Sequence, residues 1–150
     1  MLNTILVALD VTNNRTSPAK AELSEQVIQI LQEFQLRSTT QVIFSYIVPA
    51  QDTEVEVVVD RSQADLEAFP YKEIEQQLQE YQKSLPYQNQ LEIVTGDPAE
   101  EIIRLANVYK ADLIIIGSRG LTGMQRILLG SVSSQVVADA PCSILVVKPK

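Results

Sequence analysis

Five short apolar runs, Ile5–Leu9, Val42–Val48, Leu91–Thr95, Leu113–Ile116 and Ile144–Val147, alternate with stretches whose apolar residues recur at helical spacing. Continuous runs of this length, rich in β-branched residues, suit strands buried on both faces of a parallel sheet. Between the first two, Leu23, Val27, Ile30, Leu31 and Phe34 fall on one face of an amphipathic helix. Leu66, Ile74, Leu78 and Tyr81 suggest a second helix, with Pro70 marking its start. Asp97, Pro98, Glu100 and Glu101 have the order of an N-cap, a first-turn proline and first-turn acids. Ile102, Ile103 and Ala106 then give that third helix its buried side, as Val132, Val136, Val137 and Ala140 do for a fourth. The alternation predicts an α/β fold, a parallel sheet covered by helices on both faces. With 150 residues and no repeat or low-complexity linker, the chain reads as one domain spanning residues 1–150. Val55–Val59 fits either a short extra strand or a mobile loop.

Charge and residue usage narrow the function. A net charge of −7 argues against nucleic acid as a partner, because a phosphate backbone needs a basic footprint. Nine acidic residues against Arg61 and Lys72 lie between Asp52 and Glu80. That stretch reads as a solvated helix face and loop, with a docking surface for a basic protein partner as the alternative. The chain has no histidine, which removes imidazole bases and His-ligated zinc. The single Cys142 excludes a disulfide scaffold, and its apolar neighbours mark it as a small core group. No apolar stretch approaches the roughly 18 residues of a membrane span, and no signal-type leader opens the chain. The expectation is a cytoplasmic protein with no membrane anchor.

Four of the five glycines, Gly117, Gly120, Gly123 and Gly130, fall within fourteen residues directly after the run Asp112–Ile116. A strand that opens into glycines and then a helix start is a common way to hold a phosphate on main-chain N–H groups. No Gly-Lys-Ser/Thr appears, so this is not a Walker A loop; the dinucleotide fingerprint Gly-x-Gly-x-x-Gly is absent too.

The spacing Gly117-x2-Gly120-x9-Gly130-Ser131 resembles the signature of the nucleotide-binding branch of the universal stress protein family. The likeness extends to Ile5–Asp10, Gly96–Ile103, Asp112–Gly120 and Ala140–Val147, in that order. It implies a Rossmann-like fold of the adenine nucleotide alpha hydrolase-like type, with strand order 3-2-1-4-5. It also implies a site for ATP, AMP or cyclic AMP. Asp10 would meet the ribose and Ile47 would offer its backbone to adenine. Gly117, Gly120, Gly130, Ser131, Val132 and Ser133 would hold ribose and phosphates. The chemistry is coherent: a carboxylate suits sugar hydroxyls and repels phosphate, while a helix N-terminus favours the anion. Arg119 and Arg126 lie in the same stretch and either neutralise outer phosphates or point to solvent. Val11-Thr12, Tyr46 and Ser143 depart from residues common in the family, and Tyr46 is expected near the adenine edge. The function implied is a stress-response regulator working through nucleotide occupancy. A slow ATPase or self-phosphorylating protein using Mg²⁺ or Mn²⁺, and an interaction module with a vestigial site, are the alternatives. An apolar fifth strand at a sheet edge predicts a homodimer through that edge.

Overall fold

The computed structural model describes residues 2–9, 18–49, 71–118 and 131–148. In these the apolar runs form five strands, β1 (Thr4–Leu9), β2 (Gln41–Pro49), β3 (Gln88–Gly96), β4 (Leu113–Gly117) and β5 (Ser143–Val147). Four helices connect them in turn: α1 (Pro18–Glu33), α2 (Tyr71–Lys83), α3 (Pro98–Tyr109) and α4 (Ser131–Asp139). All neighbouring strands are parallel, in the order β3-β2-β1-β4-β5. Val55–Val59, the residues before Tyr71 in the acidic stretch, Leu66 and Pro70 lie outside the described residues.

The helices divide between the two faces for a topological reason. The chain steps from β1 outward to β2 and β3, then returns past β1 to β4 and β5. Parallel crossovers are right-handed, so reversing the direction of travel moves the helices to the opposite face. The cores follow that division. Ile5, Val7 and Leu9 pack with Val27, Ile28 and Leu31 of α1 and Leu78 of α2. Leu6 and Ala8 pack with Ala99, Ile102, Leu105 and Ala106 of α3 and Val136 of α4. Alternate residues of one strand thus supply two separate cores, which is why β1 reads as an unbroken apolar run.

Local signals set several boundaries. Asp97 caps α3, its side chain accepting from the Glu100 N–H at 3.0 Å, with Pro98 in the first turn. Lys110 ends that helix in the left-handed conformation, φ 52°, its N–H returning to the carbonyls of Ala106 and Asn107. β3 begins at Gln88, earlier than its apolar run. Its first residues are polar because β3 is an edge strand, and Gln90 Oε1 accepts from Gln41 Nε2 at 2.9 Å. Gln90 Nε2 in turn donates to the Tyr109 hydroxyl at 2.6 Å, and that hydroxyl donates to the Glu92 carboxylate.

The N-terminal ends of the strands are tied to one another. Asp112 Oδ2 accepts from the main-chain N–H groups of Asn3 at 2.9 Å and Thr4 at 3.0 Å. The Asp112 N–H donates to the Thr4 carbonyl at 2.8 Å, and the Thr40 hydroxyl donates to the Leu2 carbonyl at 2.9 Å. The N–H groups of Thr4 and Asn3 hold the Asp112 carboxyl below the usual aspartate value.

Candidate functional site

The strands' C-terminal ends form the opposite end of the sheet. In an open α/β sheet, the crevice lies beyond the strands' C-terminal ends, where the direction of winding reverses. Here that point falls between β1 and β4, which are paired as far as Ala8 and Ile116. β2 continues past β1: Leu9 pairs with Tyr46, whereas Ile47, Val48 and Pro49 pair with Val94, Thr95 and Gly96 of β3. Among the described residues these three have no β1 partner, so the β2 backbone borders the crevice. The Ile47 side chain is 7% exposed and packs in the α3/α4-side core.

The other wall is built from β4 and α4. Gly117 pairs with Val147 of β5, and the Ser118 N–H donates to the Val147 carbonyl at 2.8 Å. α4 starts at Ser131, so the first-turn N–H groups of Ser131, Val132 and Ser133 have no partner further back in the helix. Their alignment puts the positive end of the helix dipole there. Ser131 is exposed and Val132 half-buried, whereas Ser133 is 2% exposed. The Ser133 hydroxyl donates to the Gly117 carbonyl at 2.7 Å. This contact joins the two ends of the glycine-rich stretch, and local sequence pattern gives no sign of it.

The structure therefore brings Gly117, Ser131, Val132 and Ser133 together at one wall. It places Ile47 two strands away, on the order of 10 Å at ordinary strand spacing. Asp10, Arg119, Gly120, Arg126 and Gly130 lie outside the described residues. Tyr46 is 6% exposed and packs in the α1/α2-side core. Cys142 packs against the other core, and desolvation, with the Asp112 charge, pushes its thiol above the usual value. Among the described residues, no group of three His, Cys, Asp or Glu side chains is gathered as a metal site. No helix among them is long and apolar enough to cross a membrane.

A parallel sheet in the order β3-β2-β1-β4-β5, with helices on both faces, defines the class of doubly wound α/β proteins. Within that class, the chain belongs to the universal stress protein family, whose model matches residues 1–148. Universal stress protein Sll1388 of Synechocystis sp. is 30% identical, covering 96% of each chain. Universal stress protein MJ0531 of Methanocaldococcus jannaschii is 53% identical over 57 residues, and the match spans 34% of that relative's length. Among solved structures, the chain is similar to MJ0577 of the same archaeon, at 27% identity and a TM-score of 0.80. That match covers 100% of this chain and 98% of the other. Two further structures share the fold and carry ligands. One is a universal stress protein in complex with cAMP (18% identity, TM-score 0.64, covering 99% and 98% of the two chains). The other is a family protein from Arabidopsis thaliana with AMP bound (19%, 0.65, covering 99% and 92%).

Proposed function

We propose that the chain binds an adenine nucleotide in the β1/β4 crevice and acts as a stress-response regulator through occupancy of that site. The observation that carries this reading is the first turn of α4 fastened against Gly117 at the switch point. It aims main-chain donors and a positive dipole end at the place where the fold admits a ligand. AMP and cAMP in two proteins of the same fold support the ligand class. In this reading Asp10 takes the ribose and the Ile47 backbone takes adenine. Gly117, Gly120, Gly130, Ser131, Val132 and Ser133 surround ribose and phosphates, and Arg119 and Arg126 balance outer phosphate charge. Mg²⁺ or Mn²⁺ would arrive with ATP, since phosphate oxygens supply much of its coordination. The functional unit is a single domain of residues 1–150, cytoplasmic and homodimeric through β5, whose outer edge has no strand partner among the described residues.

The test begins with release and identification of any nucleotide carried by the purified protein, followed by calorimetric titration with ATP, AMP and cyclic AMP. Saturable binding is expected, and absence of binding near 1 mM ligand, about −4 kcal/mol, refutes the reading. Gly130→Val should abolish binding while circular dichroism stays unchanged, because a branched side chain would fill the space intended for phosphate. Survival of affinity in that variant would move the site elsewhere. Turnover of ATP with Mg²⁺ or Mn²⁺ separates a regulator from a hydrolase.

A further inference from the structure

We infer that Ser133 is a positioning residue of the nucleotide site and gives phosphate no hydroxyl bond: its side chain latches the start of α4 to the end of β4. The inference rests on the nucleotide reading above, and it divides labour between two serines that the glycine motif would treat alike. A serine hydroxyl has one hydrogen and two lone pairs. In Ser133 that hydrogen is directed to the Gly117 carbonyl at 2.7 Å, in a side chain only 2% exposed. What remains of the hydroxyl is acceptor, which an anion repels. Ser133 can therefore offer phosphate its main-chain N–H alone, whereas the exposed Ser131 retains a hydroxyl that can turn toward a ligand.

The direction of the bond is unusual for a helical serine. Such a hydroxyl ordinarily returns to a carbonyl three or four residues back in its own helix. Ser133 reaches sixteen residues back, to a different element. Gly117 is itself fixed from its other side by β5, through its pairing with Val147 and the adjoining Ser118 to Val147 bond. The first-turn N–H groups of α4 are thereby tied to the sheet by a side-chain bond. The same bond occupies the Gly117 carbonyl, an acceptor at the strand end. Both effects preorganise the anion site before any ligand arrives.

The experiment is carbonyl and amide NMR on the full chain, with AMP as the probe. In wild type, the Gly117 carbonyl resonance should keep its hydrogen-bonded position when AMP is added, because the Ser133 hydrogen stays where it is. Ser133→Ala should displace that resonance in the free protein, accelerate amide exchange at Val132 and Ser133, and weaken AMP binding about tenfold. Ser133→Thr, which keeps a hydroxyl, should restore the resonance and most of the affinity. A wild-type Gly117 resonance that moves on AMP addition toward the Ser133→Ala position would overturn the latch, since the hydroxyl would then have moved to phosphate. Unchanged affinity in a folded Ser133→Ala variant would overturn it as well. If wild type binds no nucleotide, the proposed function fails; the free-protein comparison at Gly117 still decides whether the latch exists.

Discussion

At the N-terminal end of the β1–β4 pair, Asp112 accepts main-chain N–H bonds from both Asn3 and Thr4 and returns its own N–H to Thr4. At the C-terminal end, the polar links of β4 run outward to β5 and α4, through Ser118 to Val147 and Ser133 to Gly117. Among the described residues none crosses to β1 beyond the pairing of Ala8 with Ile116. One pair of strands therefore has an end tied across by main-chain and carboxylate bonds and an end with no such tie among the described residues. The first contributes to stability, and the second is where the proposed function puts the nucleotide. Both ends depend on the same buried strands.

That shared dependence is tested by the largest change. Leu6→Ala empties a fully buried position on β1 and should cost about 2–5 kcal/mol in denaturant titration, lowering nucleotide affinity with it. Retained affinity at full loss of stability would break the link between strand packing and site. Asp112→Ala should separate the ends: about 1 kcal/mol of stability is lost, and nucleotide titration is unchanged. An equal loss of binding would show that the two ends are one unit.

The acid limb of stability sharpens the same point. Asp112 has a folded value held below that of the unfolded chain, about 3.9. Its contribution is fully present above the unfolded value and disappears as pH falls through the folded one. Asp112→Asn should flatten the stability profile below about pH 4, and a profile identical to wild type would remove the carboxylate from the account. The smallest effect is expected from Ser131→Ala, on the exposed side of the open end. Stability should stay within about 0.5 kcal/mol, while phosphate-dependent affinity falls by a few fold. Equal affinity in that variant would leave the first-turn N–H groups as the phosphate's main contact on α4.

The strands and helices were legible because each carries its own local pattern. Ile5–Leu9 and Leu113–Ile116 are apolar throughout because both faces are covered. The start of β3 was not legible, since Gln88, Asn89 and Gln90 lie on an edge strand and need no apolar run. In the candidate site, glycine spacing pointed to Gly117 and to the start of α4. It did not distinguish Ser133 from Ser131, because the difference lies in a bond between elements sixteen residues apart. Asp112 was visible only as the residue ahead of a strand; its partners are 108 and 109 residues away. Position near a strand end also did not tell which core the Tyr46 ring enters.

The order of the strands also has a kinetic consequence. Contacts between β1 and β2 span 38 residues, as in the Ser45 to Val7 bond, whereas those between β1 and β4 span 108 or more. Closing the longer loop costs more chain entropy and generally comes later in folding. During synthesis, both β1 and β2 are made well before the segment around residue 113 that completes the β1–β4 pair. The crevice does not exist in any shorter folded fragment. In the proposed reading, nucleotide binding would therefore report completed folding, because a chain that has built only its first three strands lacks the β4 and α4 wall.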